Sequence, residues 1–392
     1  MKRIFSGNLA RWAVVTAFFI NGALMATWVS RIPVMQSKFG LSEGQLGLLL
    51  LGLSAGVLIA LSMAGGMVAR FGSRNVTVVG AIAMCFLLPF VALAPNPILL
   101  WMVLFLFGGA MSAMDVAMNE QAVLVERNAK RPLMSSFHAS FSIGALAGAL
   151  IGAVMASISA ITPFLHFIIV AIVFGLAMLL SVPHLLNVEP EAKEKSSTFS
   201  FPQRALWPLG AVAFSCAIAE GAMADWSAVY LSQAVKTTAS FAALGYAAFS
   251  LTMTIGRLLG DRLSTIWSPS FIVRAGGLIA TIGFLAAVIT LQPLVVLIGF
   301  AAIGIGLANI IPLSFSAAGN HPGVAPGAGI AGVATIGYAG FLAGPPVIGL
   351  IAEATSLRIA LIIITVLVGS LVFTGKAIDV EKETETAVPQ HQ

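Results

Sequence analysis

Charge is what this chain has least of. Asp, Glu, Lys and Arg make up 9% of its 392 residues, against 59% hydrophobic residues, and that leaves too little polar surface to coat a soluble globule of this length. Cysteine is nearly absent. Cys85 and Cys216 are the only two, and both fall inside apolar runs, which excludes a disulfide framework and metal-type cysteine spacing. No phosphate-binding loop, zinc motif, nucleophile triad or appended soluble domain is visible, which argues against an ATP-driven pump and against a membrane enzyme. Long polar stretches are missing as well, save HLLNVEPEAKEKSSTFSFPQR at 184–204.

What is present is a series of apolar runs, each long enough at roughly 20 residues to cross about 30 Å of hydrocarbon. Twelve can be drawn: 11–32, 45–69, 76–94, 98–122, 133–158, 163–182, 206–230, 240–261, 271–290, 294–315, 326–351 and 357–375. They are apolar all round instead of alternating, so they are helices and not the strands of a barrel. The fold class is an all-α integral membrane protein with twelve transmembrane helices in two pseudo-symmetric six-helix bundles. Residues 1–182 form the first bundle, 183–205 a cytoplasmic linker, 206–375 the second bundle and 376–392 a cytoplasmic tail.

The opening MKRIFSGNLARW is basic, but the run after it has full span length and no small-residue cleavage site, so it reads as an uncleaved first helix. With the N-terminus in the cytoplasm, all twenty Lys and Arg except Arg31, Lys38, Lys236 and Arg358 lie at or near that side, as the positive-inside rule requires. The formal net charge of +5 therefore reports topology and not nucleic-acid binding. These observations predict a monomeric multi-pass protein of the cytoplasmic (inner) membrane with both termini cytoplasmic, whose partners are the lipid bilayer and a small-molecule solute.

The chain is duplicated. NGALMATW at 21–28 returns as EGAMADW at 220–226, with Glu220 in place of Asn21 and Asp225 where the first copy has only Ala26 and Thr27. The two segments open the first and seventh spans, so the halves read as parallel repeats about an axis along the membrane normal. Asp115 in the fourth span falls opposite Asn309 in the tenth. GMVARFGSRN reads as the turn after the second span, and GRLLGDRLS as the turn after the eighth.

Together these features resemble the major facilitator superfamily, over essentially the whole chain. That family's motif after the second span is a glycine, three residues, an acid, a base, any residue, a glycine and then bases. Gly66, Arg70, Gly72 and Arg74 match it, Ala69 stands at the acid position, and Asp261 with Arg262 keeps the charged pair in the other copy. AEGAMADW, SFHASFSIGALAGALIG and GYAGFLAGPPVIG further resemble the YbjJ-like bacterial inner-membrane branch, related to fucose-proton symporters. In those relatives a carboxylate of the fourth helix takes part in proton and sugar handling, and Asp115 is the residue that matches. The acid of their first helix has no counterpart, since Asn21 and Ala26 stand there.

Acids in apolar spans are costly and mark pathways for ions or substrate. Asp115 lies about 10 Å from the cytoplasmic end of its helix, with Asn119 one turn on and on the same face. His138 comes to a similar depth across the next hairpin, either as a proton relay to Asp115 or as a satisfied donor near Ser142. Glu220 falls near the middle of the seventh helix, where a charge without a partner is least tolerable, and is the second proton-coupling candidate. Asp225 is about 7.5 Å nearer the periplasm and rotated so that it does not face one cavity squarely with Glu220. Its depth matches that of Arg31, which either bridges to it as an outer gate or snorkels to headgroups. Arg70, Arg74, Asp261 and Arg262 are the gate candidates of the other side. Glu120 and Gln121 are expected to pair with Arg127 or Lys130.

Asn21, Trp28, Asn119, Trp226, Tyr246, Asn309 and Tyr338 are the cavity candidates, a mixed aromatic and amide lining suited to a sugar or another neutral polar solute. Gly144, Gly148 and Gly152 share one face of the fifth helix, and Gly340 and Gly344 one face of the eleventh. Such small stripes let backbones approach, and Pro345 adds a bend. The sequence thus predicts a secondary transporter that rocks two bundles around a midplane site, with the proton gradient as its energy source and no cofactor. Proton-coupled symport is the first expectation, proton-driven efflux of amphipathic or cationic compounds the second, and a non-transporting receptor or scaffold the third.

Overall fold

A computed structural model describes residues 7–129, 133–187, 203–322, 324 and 326–379. Twelve helices long and apolar enough to cross a membrane are found among them. They are α1 (Asn8–Phe39), α2 (Glu43–Phe71), α3 (Ser73–Leu93), α4 (Pro97–Ala129), α5 (Ser136–Ser157), α6 (Pro163–His184), α7 (Arg204–Ala234), α8 (Ala239–Gly260), α9 (Pro269–Thr290), α10 (Pro293–Gly319), α11 (Gly329–Ala354) and α12 (Leu357–Ile378).

Local chemistry sets where these helices begin. Ser42 and Gln45 form a capping box at α2, and the hydroxyls of Thr162, Thr238, Ser268 and Ser356 cap α6, α8, α9 and α12. Each cap satisfies an orphan backbone N–H that hydrocarbon would leave bare. Glu126 does the same between α4 and α5, its carboxylate accepting from the N–H groups of Leu133 (2.6 Å) and Met134 (2.8 Å). The turn after α2 is shorter than the GMVARFGSRN stretch suggested, because helix continues to Phe71 and only Gly72, at φ +78°, leaves it. GRLLGDRLS is not a turn at all. Helix runs unbroken from Ala239 to Ile266, since nothing in that stretch needs a positive φ.

Packing repeats with a period of six helices. In the first half α1 packs on α5, α2 on α4, and α3 on both α4 and α6; in the second α7 packs on α11, α8 on α10, and α9 on both α10 and α12. The bundles meet through α2 against α11 and α5 against α8, again a symmetric pair. Outward faces remain apolar and uncovered, as at Leu180, Ile98 and Val79, which is the surface that lipid covers.

The glycine stripes lie inside the bundles and not between them. A Cβ at Gly144 or Gly148 would overlap the carbonyl oxygens of Phe19 and Ala23, and one at Gly152 would overlap Ser30 Oγ. The α5 stripe therefore zips α5 to α1. Gly340 and Gly344 likewise face α7, their would-be Cβ atoms 2.9 Å from Phe214 O and 3.4 Å from Ile218 Cγ1.

Gln121 does not pair with surface bases. Fully buried, it clamps α4 to the start of the linker, donating to Leu186 O (2.8 Å), accepting from Leu186 N–H (2.9 Å) and donating to Ser73 Oγ (2.9 Å). The amide can serve three partners at once, whereas an exposed pairing with Arg127 would have left it wet.

Candidate functional site

A cavity of about 340 Å³ lies between the bundles, lined by α1, α2, α4 and α5 on one side and by α7, α8 and α11 on the other. It is closed at the end away from the chain termini. There α2 and α11 touch at the level of backbone: a Cβ on Gly47 would stand 2.5 Å from Pro345 O and 3.1 Å from the Gly349 Cα. Pro345, read from the sequence as a bend, is thus also part of this closure. Toward the termini the same helix is free, since nothing lies within 4 Å of a Cβ built on Gly65 or Gly66.

Asp115, Glu220 and Asp225 all face this cavity. Glu220 and Asp225 do so together despite their angular offset, because the cavity runs along more than one turn of α7. Asp115 has one side-chain partner among the described residues, Asn119, whose Nδ2 donates to Asp115 O (2.8 Å) and to Oδ1 (3.3 Å). Asp225 has no hydrogen bond or ion pair to a described residue.

Glu220 is paired, which the sequence reading missed. Arg257 of α8 donates from Nη2 to Glu220 Oε2 at 3.4 Å, and the Cys216 thiol approaches Oε1 at 3.5 Å. This is the one ion pair among the described residues. The signal was available: Arg257 lies inside the 240–261 run, and a cation there is as costly as an acid. Arg257 lies within GRLLGDRLS, and a cation in a turn would be solvated and carry no such cost.

Of the remaining candidates, Asn21, Tyr246 and Tyr338 line the cavity. Asn21 Nδ2 also donates to Met111 O at 3.2 Å, tying α1 to α4. Trp28 and Trp226 do not line it. Both are fully buried inside their bundles with indole N–H groups unpartnered, because the repeated segment turns its bulky residue into the bundle core. Asn309 is buried too, its Nδ2 donating to Gly256 O at 3.0 Å, which locks α10 onto α8. Asn119 serves Asp115 from the next turn of the same helix and is not a lining residue.

His138 does not meet Asp115. It is exposed, edge-on to Phe18 with ring centroids 5.3 Å apart, because this face of α5 turns toward α1 and away from α4. Ser142 Oγ donates to the His138 backbone carbonyl (3.3 Å) and not to its ring. Arg31 does not bridge to Asp225. Its Nε donates to His166 Nδ1 of α6 at 3.1 Å, and both residues are buried. Neither does it snorkel, since Arg31 is buried where the chain turns at residues 30 and 31 before a second helical piece, Ile32–Phe39.

Among the described residues, the gate candidates at the other end form no latch. Arg70 lies over the Phe71 ring at 5.2 Å, the Arg74 Nε is buried without a hydrogen-bond partner, Arg262 is exposed, and the Asp261 side chain lies outside the described residues. Two bundles parted at this end and closed at the other are one state of a rocking transporter.

The family model of the Major Facilitator Superfamily matches residues 13–327. The chain belongs to that superfamily. It is 35% identical over 364 residues to an uncharacterised MFS-type transporter of Yersinia pestis, covering 92% of this chain and 94% of the relative. It is 34% identical over 356 residues to the membrane protein MosC of Rhizobium meliloti, covering 90% and 86%. Among solved structures, a point mutant of the nucleoside transporter NupG superposes with a TM-score of 0.78 at 12% identity, over 94% of this chain and all of that one. A bacterial homologue of the human lysosomal transporter Spinster, inward-facing and occupied, gives 0.74 at 15% identity over 96% and 97%. At those identities the likeness is one of fold. This MFS chain is thus a membrane transporter, and its cavity lies between the two bundles.

Proposed function

We propose that this protein is a proton-coupled symporter of a small polar solute, driven by the proton gradient across the cytoplasmic membrane. The observation that carries the reading is the unequal pairing of charge in one cavity. Glu220 is neutralised by Arg257, whereas Asp115 and Asp225 face the same space without a cation. An acid left without a cation inside a membrane exchanges protons as its surroundings change, and coupling needs a site whose protonation biases the conformation. Asp115, on the first bundle and opposite the α7 acids, is the coupling residue. Its match to the fourth-helix carboxylate of the fucose-proton symporters supports the same assignment.

The Lys and Arg distribution supports cytoplasmic termini, so the open end of the cavity faces the cytoplasm and the α2–α11 closure faces outward. The two helical bundles, 1–182 and 206–375, are the rocking units, and 183–205 and 376–392 are cytoplasmic. Reconstituted vesicles containing a pH-sensitive dye test the reading. Addition of a transported solute from a panel of sugars, nucleosides, amino acids and organic acids moves protons in the direction of the solute. Proton movement opposite to the solute establishes the efflux antiporter instead, and binding without any flux establishes a receptor.

A further inference from the structure

The cavity carries both signs of charge at different depths, and that pattern specifies a class of solute. Arg257 meets Glu220 through Nη2 alone, at 3.4 Å, with its side chain 35% exposed. A guanidinium has five N–H donors in a planar fork, so most of its binding capacity is left for the cavity it lines. Asp225 presents the opposite charge, with no partner among the described residues. It follows Glu220 by five positions on one helix, a rise of about 7.5 Å along α7. The walls nearby are aromatic, with Tyr246 stacked on Phe249 at 5.9 Å and Phe341 and Tyr338 facing them from α11. Aromatic faces add to the binding of an ammonium group.

Resting on the symport reading above, we propose that the solute is a small zwitterion whose charges stand several bonds apart, as in an ω-amino acid. Its carboxylate takes the free donors of Arg257, and its ammonium group takes Asp225. Asp115 remains on the opposite wall as the proton site. A neutral polyol would leave Asp225 without a counter-charge in a cavity between apolar helices and would offer the free donors of Arg257 no anion beyond Glu220. A plain organic anion would add repulsion from Asp225 and Glu220, and a plain organic cation would leave the guanidinium donors unused. A zwitterion alone answers both groups, and at about 340 Å³ the cavity suits a molecule of that size.

The experiment is a thermal-shift titration of the purified full chain in detergent, with three matched probes. These are 6-aminohexanoate, its amide, which lacks the anion, and its N-acetyl derivative, which lacks the cation. The zwitterion is expected to raise Tm and each single-charge analogue to bind about tenfold or more weakly. Arg257→Gln should erase the preference over the amide, and Asp225→Asn the preference over the N-acetyl compound. Equal stabilisation by either analogue, or no stabilisation by any of the three, overturns the proposal. Glycine binding as tightly as 6-aminohexanoate overturns the charge separation. A vesicle assay with the same dye separates this from the broader reading. Proton symport driven by a sugar or nucleoside, with no response to 6-aminohexanoate, removes the zwitterion and keeps the symporter, whereas no proton movement with any solute removes the symporter.

Discussion

Arg257 on α8 holds Glu220 on α7 through a single contact of 3.4 Å, so the acid at the centre of the seventh helix is the one acid in the cavity with a cation beside it. Glu220 on α7 and Asp115 on α4 face the same cavity from opposite bundles, Asp115 held by Asn119 in place of a cation, and that difference divides their roles.

Asp115→Asn keeps the shape and hydrogen-bonding capacity of the carboxyl but cannot change charge. The mutant is expected to lose uphill uptake under an imposed pH gradient while still exchanging labelled for unlabelled solute at equal concentrations. If it still concentrates solute and Glu220→Gln does not, coupling belongs to the seventh helix.

The Glu220 pair opens onto the cavity, its Arg257 and Glu220 side chains 35% and 15% exposed, so its contribution to stability is about 1 kcal/mol. Glu220→Gln and Arg257→Gln should each unfold close to the wild-type temperature, yet both should weaken solute binding. A large loss of thermal stability in either would assign the pair to the scaffold.

Closure between α2 and α11 can be locked. A Cβ on Gly44 would stand 3.5 Å from the Glu353 Cβ, within the separation that a disulfide spans. The double variant Gly44→Cys, Glu353→Cys should cross-link on oxidation and lose transport, with recovery on reduction. Undiminished flux through fully cross-linked protein would count against the rocking of bundles. Cys85 and Cys216 are both buried and should not interfere.

Gly148→Leu should fail to yield folded protein, because even a Cβ at that position meets the Ala23 carbonyl and overpacking costs about 1–3 kcal/mol or more. Gly337→Ala is the control, with nothing nearer to the new methyl than Ala213 Cβ at 3.7 Å. Purified yield and melting temperature decide the matter, and normal values for Gly148→Leu would show that α1 and α5 are not in backbone contact.

Arg31 and His166 form a buried cross-helix bond. His166→Ala should therefore lower stability by about 1–3 kcal/mol, since it strands a donor and a charge. Reversing both charges, Arg31→Glu with Asp225→Arg, should not rescue transport. Rescue by that double reversal would reinstate a bridge that this state does not contain.

The sequence alone determined the class of the molecule, its twelve helices and its twofold plan. Hydrocarbon forbids bare backbone, so length and apolarity of the runs suffice to place helices, and the NGALMATW repeat suffices to pair the halves. It also marked Asp115, Glu220 and Asp225, because acids within apolar runs are conspicuous whatever surrounds them. Which residues they meet was decided by tertiary structure. His138 and Asp115 have compatible depths, yet His138 packs on Phe18 and Asp115 is held by Asn119, and depth is all that a count along the chain provides. Trp28 and Trp226 have the right height for a cavity but the wrong side of their helices. Arg31 found His166 from α6, a partner 135 positions away with no repeat to announce it. Rotation of each helix about its own axis settles these matters. In a chain apolar on every face, that rotation is set by close packing at glycines such as Gly144 and Gly148, and not by the pattern of polar residues.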